Sequence, residues 1–107
     1  MTLQHCTLCP KACGADRTRT TGWCGGGAEM RAARAALHFW EEPCISGKGG
    51  AGAVFFSGCA LRCCFCQNRQ ISQEWFGKAI SVSQLSEILL RLQEQGAETL
   101  DLVTGSH

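Results

Sequence analysis

The strongest hydrophobic pattern along the chain lies between Gln84 and Gln95. Leu85, Ile88, Leu89 and Leu92 recur at i, i+3, i+4 and i+7, which places four apolar side chains on one face of an α-helix. Ser83 stands where an N-cap belongs, and Gly96 stands where a left-handed residue closes a helix. The next run, Thr99-Leu100-Asp101-Leu102-Val103-Thr104, reads as a strand. Upstream, Ala53-Val54-Phe55-Phe56 is a short apolar run with glycines near both ends, the signature of a buried strand. Residues 53 to 104 therefore predict strand, loop, helix, strand. That is one βαβ unit, and it implies a parallel sheet. Residues 28 to 42, AEMRAARAALHFWEE, are rich in Ala, Met, Arg and Leu and predict a helix, stopped by Pro43. Residues 69 to 80 are mixed and predict a loop.

The fold class is thus α/β. Two strands cannot cover both faces of a parallel sheet, so the expectation is the opening part of a longer α/β protein. Residues 1 to 45 form a cysteine-rich, irregular N-terminal cap, and residues 46 to 107 form the start of the α/β unit. Residues 1 to 27 offer little to bury and need a staple to hold a shape. The stretch SGKGGAG at residues 46 to 52 invites a phosphate-loop reading, which fails. Ala53 and Val54 stand where Lys and Ser or Thr are required, and a strand follows instead of a helix. It reads as a flexible lead-in turn, with Cys44 just before it as a buried structural thiol.

Charge narrows the classes of function. Ten basic and nine acidic residues among 107 give a net charge of +1, which opposes a nucleic-acid or membrane-surface role. Arg17, Arg19, Arg31 and Arg34 lean toward the first third but read as a solvated face. No apolar run is long enough to span a bilayer, and the start, MTLQHCTLC, lacks the layout of a secretory signal. The expected compartment is the reducing cytoplasm. Nine cysteines are far above ordinary usage. Their odd number and their clustering oppose a disulfide framework and favour metal or redox chemistry.

The densest cluster is GCALRCCFCQN, residues 58 to 68. Cys59, Cys63 and Cys66 are spaced C-x3-C-x2-C, and one short loop can wrap three thiolates around a cubane cluster. Iron–sulfur clusters normally take four cysteines. A trio with no nearby fourth leaves one iron open, as a catalytic zinc keeps a position open. Cys64 reads as a small buried hydrophobe, a bystander whose register points it away from the cluster. Zinc is the competing occupant, but it wants a fourth protein ligand that Cys64 is badly placed to give. Cys6, Cys9, Cys13 and Cys24 form a candidate second metal site, C-x2-C-x3-C-x10-C, for which zinc and an auxiliary iron–sulfur cluster both remain open.

With Phe65 as its aromatic residue, the stretch resembles the C-x3-C-x-aromatic-C signature of radical S-adenosylmethionine (SAM) enzymes. CTLCPKACGADR, ALHFWEEPCISGKGGAGAVFFSGC, CQNRQIS and LVTGSH are further similar to the subgroup that includes the pyruvate formate-lyase activating enzymes. The resemblance implies a partial (βα) barrel, of which this chain would hold the opening βαβ unit behind its cap. It implies that Cys59, Cys63 and Cys66 hold a [4Fe–4S] cluster whose open iron chelates SAM. It further implies reductive cleavage of SAM to a 5′-deoxyadenosyl radical that abstracts hydrogen, with a backbone glycine of a glycyl radical enzyme as substrate. A low-potential donor such as a flavodoxin or ferredoxin would supply the electron. Phe65 would lie near the adenine. Thr104 and Gly105 would contact SAM, in the stretch Thr104-Gly105-Ser106-His107, which lacks the family's Glu. A chain of this length would turn over poorly by itself. The alternative is a small metal-stapled binding or redox module, with zinc or a cluster and no SAM chemistry.

Other signals carry less. His5 and His38 have no derivable role. Glu41 and Glu42 read as a solvated helix end, and Trp23, Trp40 and Trp75 as packing residues. No Ser/His/Asp constellation is present.

Overall fold

The computed structural model describes residues 2–39, 42–74 and 76–105. Trp40, Glu41, Trp75, Ser106 and His107, with their expected roles, lie outside the described residues. Among the described residues, four strands and three helices follow in the order β1 (Met30–His38), α1 (Pro43–Ser46), β2 (Ala51–Phe56), α2 (Arg69–Ser72), β3 (Lys78–Ile80), α3 (Val82–Glu94) and β4 (Thr99–Val103). They build one mixed sheet with strand order β3-β1-β2-β4.

β2 runs through the middle because five of its six residues are buried, Ala51 and Val54 completely. It pairs parallel with β4, Ala51 opposite Thr99 and Val54 opposite Leu102. The connection between these two strands carries α3, so the expected strand–loop–helix–strand arrangement is present. Val54 and Phe56 share one face of the strand and pack with Leu92 of α3 as the buried core, flanked by Leu85, Ile88, Leu89 and Ala97. Gly52 allows β2 a close approach to α3 and β4. A Cβ there would lie 3.0 Å from Leu92 Cβ and 3.1 Å from Leu100 Cδ2.

Helix α3 begins two residues before the expected start, and its cap is Ser81, not Ser83. Ser81 Oγ accepts from the Gln84 amide at 3.1 Å, and Gln84 Oε1 accepts from the Ser81 amide at 2.8 Å. This reciprocal box satisfies two orphan donors, which a cap at Ser83 could not do with Glu87 out of range. At the other end Gly96 takes φ +103°, as expected of the residue after the cap. The Ala97 amide donates to Leu92 and the Gly96 amide to Gln93, a Schellman closure. Replacing Ser81 by alanine is expected to cost about 1 kcal/mol of stability, read from urea unfolding followed by circular dichroism.

The helix expected over residues 28 to 42 is a strand instead. β1 pairs antiparallel with β2 from Ala32–Phe56 to His38–Ala51, and antiparallel with β3 from Met30–Ile80 to Ala32–Lys78. A register shift at Ala33 bulges it. Helix propensity differs by only about 0.7 kcal/mol per residue among ordinary side chains, and hydrogen bonding on both sides of the strand outweighs it. Pro43 opens the one-turn α1 instead of only ending a helix, a position where its missing N–H costs nothing. The expected loop at residues 69 to 80 contains α2 and the short β3.

The glycine-rich turn is held, not loose. Glu98 Oε1 accepts from the amides of Lys48 and Gly49, each at 3.1 Å, and the Glu98 amide donates to Gly50. Cys44, expected to be buried, is exposed. The one-turn α1 lies outside the sheet, whose strands supply the buried positions. Among the described residues, no helix is long and apolar enough to cross a membrane.

Candidate iron–sulfur site

The cysteine loop leaves the carboxyl end of β2, the most buried strand. Its first residues are pinned before the thiols begin. The Ser57 amide donates to the Arg31 carbonyl at 2.9 Å, the Gly58 amide to Ile71 at 3.0 Å, and the Ser57 hydroxyl to the Phe76 carbonyl. Arg31 Nη2 donates to the Gly77 carbonyl at 2.6 Å, closing the base of the loop.

Beyond this base the loop carries Cys59, Cys63 and Cys66, all half-buried, while Cys64, expected to be buried, is exposed, because the short loop has no core to take it in. The Cys59 amide donates to the Cys24 carbonyl at 3.1 Å, and the Cys66 amide to the Cys63 carbonyl at 3.3 Å. Gln73 Nε2 donates to the Cys63 carbonyl at 3.0 Å, and Cys66 Sγ lies 3.5 Å from Ser72 Oγ. Arg62, between the first two thiols, adopts φ +51°. For a residue with a Cβ that corner costs on the order of 1–2 kcal/mol, which its neighbours must offset.

Three half-buried thiols on one short loop, with no carboxylate or imidazole between them, are the donor set of a cluster site. The residues fit the group by type and by chain placement. They are not drawn together: among the described residues no three Cys, His, Asp or Glu side chains stand close enough to hold a metal ion. The loop must tighten to bring three sulfurs onto one cluster.

The N-terminal cysteines divide. Cys6 and Cys24 are buried, Cys9 is half-buried and Cys13 is exposed. The structure brings two of them near each other: a Cβ on Gly22 would lie 3.5 Å from Cys13 Sγ and 3.7 Å from Cys24 Sγ. The Gly26 amide donates to Cys24 Sγ at 3.2 Å, and Arg17 Nη1 lies 3.8 Å from Cys6 Sγ. The Cys13 thiol is held below its ordinary pKa, first by the backbone N–H of Trp23 and then by that of Ala15. All nine cysteines are free thiols. His5 is exposed, its imidazole close to Gly14, and joins no metal-binding group.

Phe65 is 86% exposed and Leu61 80% exposed, so the loop presents two exposed apolar side chains. Thr104 and Gly105 stand at the carboxyl end of β4. Thr104 Oγ1 donates to the Phe56 carbonyl at 3.1 Å, which sets this end beside the point where the cysteine loop departs. A cavity of about 410 Å³ opens at the same rim, lined in part by Phe56, Ser57, Leu102 and Gly105, though by no cysteine. Sequence reasoning did not find the partners of the loop: Gln73, Ser72, Arg31 and above all Trp23. Trp23 stands beside Cys24, and that adjacency was the only signal available.

By residue type and chain placement this is a candidate iron–sulfur-binding segment at the end of a buried strand. The family model described as a 4Fe-4S single cluster domain matches residues 45–107, and the chain belongs to that family. Over 77 residues it is 34% identical to the uncharacterized protein MJ0674 of Methanocaldococcus jannaschii, a match covering 72% of this chain and 22% of the relative. The chain thus spans about a fifth of the length of this curated relative. No solved structure matches it.

Proposed function

We propose that the chain is the opening segment of a radical SAM enzyme, a reading that deepens its membership of the 4Fe-4S single cluster domain family. The observation that carries it is the shared rim. The cysteine loop leaves the carboxyl end of β2, and Thr104 and Gly105 leave the carboxyl end of the parallel β4, joined by the Thr104–Phe56 hydrogen bond. Ligands of open parallel sheets sit outside these strand ends. Cys59, Cys63 and Cys66 would hold three irons, and the fourth would be left to SAM. Bound there, cluster and SAM supply one-electron cleavage of the S–C5′ bond.

The chain's own residues bind and orient. The three thiolates anchor the cluster, and the base formed by Ser57, Gly58 and Arg31 fixes where the loop starts. Phe65 offers an uncovered aromatic face for the adenine, and Thr104 and Gly105 offer backbone at the rim. A partial (βα) barrel would complete the pocket. The resemblance to glycyl-radical-enzyme activators makes a glycine of a partner enzyme the favoured hydrogen donor, with a flavodoxin or ferredoxin as reductant.

The test is anaerobic. The chain is reconstituted with iron and sulfide, assayed for iron, sulfide and zinc, reduced, and examined by EPR with and without SAM. A reduced-cluster signal that changes shape on adding SAM is the expected result. A signal indifferent to SAM overturns the radical reading and leaves a plain redox module. Uptake of zinc alone overturns the cluster as well.

A further inference from the structure

The family match begins at residue 45 and assigns nothing to the cysteine-rich segment before it. That segment is built onto the cluster loop. The Trp23 indole N–H donates to the Ala60 carbonyl at 2.9 Å, across 37 residues of chain. The next residue, Cys24, accepts from the Cys59 amide at 3.1 Å. The Arg62 guanidinium lies 4.7 Å from the centroid of the Trp23 ring, and the Lys11 ammonium 4.1 Å from it. Both distances are within cation–π range.

The two loops that meet on this ring are alike. Cys9 and Cys13 are spaced C-x3-C, as are Cys59 and Cys63. In each, the residue before the second cysteine turns left-handed, Ala12 at φ +42° and Arg62 at φ +51°. The cation at or next to each corner rests on Trp23. One side chain thus touches the cation at or beside each left-handed corner, including the one immediately before Cys63.

We propose that Trp23 is a positioning residue for the cluster loop: it docks the N-terminal cysteine segment onto residues 59 to 62 and holds Arg62 in the left-handed turn that leads into Cys63. The inference rests on the reading of that loop as the cluster site. Its geometry concerns the metal-free chain as well, which allows the two to be tested apart.

The experiment compares the wild-type chain with Trp23→Phe, Trp23→Ala and Arg62→Gln. In the metal-free protein, alkylation of each cysteine by iodoacetamide is timed and resolved by peptide mass spectrometry. After reconstitution, iron per chain and iron release to a chelator are measured. One hydrogen bond and one cation–π contact together support an expected rise of about tenfold in the alkylation rates of Cys59 and Cys63 for Trp23→Ala. Trp23→Phe, which keeps an aromatic face but loses the N–H, should fall between, and Arg62→Gln should affect Cys63 most. Buried Cys6 serves as the reference: a rise there too in every variant would mean general loosening and would overturn a positioning role. Wild-type rates at Cys59 and Cys63 in all three variants would also overturn it. In the reconstituted proteins, iron release should quicken in the same order as the thiol rates. If the wild type takes up no iron while the thiol rates follow the expected order, the cluster reading fails and the docking stands.

Discussion

Replacing Cys59, Cys63 or Cys66 by alanine is expected to abolish cluster binding, with iron and sulfide per chain falling to background after anaerobic reconstitution. The expectation is this large because each thiolate would hold a different iron, and a two-point attachment leaves the cluster exposed to loss. Cys64→Ala is the matched comparison. Its thiol is exposed and lies outside the C-x3-C-x2-C spacing, so its iron content should equal that of the unaltered chain. Equal loss from Cys64→Ala and Cys63→Ala would mean that the loop as a whole, and not the spacing of its thiols, determines binding. Retention of a full cluster by any of the three would remove that residue from the ligand set.

The second large effect lies away from the thiols. Gly77 adopts φ +138°, and a Cβ there would stand 2.8 Å from the Ala32 carbonyl oxygen and against the Ser57 hydroxyl. Neither neighbour can retreat: one is the backbone of a strand paired on both sides, the other carries a side chain bonded to Phe76. Gly77→Ala is therefore expected to destabilise the fold by roughly 2–4 kcal/mol, the sum of a left-handed backbone and an overpacked contact. Urea unfolding reads it directly. Because Ser57 and Arg31 form the base of the cysteine loop, iron uptake should fall with it. A variant as stable as the parent would show that the β1–β3 pairing relaxes at little cost.

Much of this was legible in the residues. The apolar period of Leu85, Ile88, Leu89 and Leu92 gave α3, and the short apolar run Val54–Phe56 gave a buried strand, because both patterns follow directly from what each element must bury. The three cysteines were legible for a chemical reason: few other uses require thiols at that spacing. β1 was not legible. Ala, Arg and Leu favour a helix in isolation, and only the neighbouring strands decide otherwise. Its burial does not alternate cleanly, so no two-residue period marks it. The Trp23 docking was hidden for a similar reason. Lys11, Trp23 and Arg62 are far apart in sequence, and no local pattern announces a contact made on one ring. Cys44 misled because its reading rested on the habit of free cysteines to be buried, while its element lies outside the sheet.

The hydrogen bonds that seat the cysteine loop have one more property. Cys24 with Cys59, Trp23 with Ala60, Arg31 with Ser57 and Gly77, Ile71 with Gly58 and Gln73 with Cys63 all fall within residues 23 to 77. None draws on α3 or β4. Parallel pairing of β2 with β4 must close a long loop, whereas the antiparallel β1–β2 pair closes a short one. Seen from the ribosome, these partners of the loop have been delivered once residue 77 has emerged. Chain synthesis thus supplies these contacts to the loop before it supplies the last strand of the sheet.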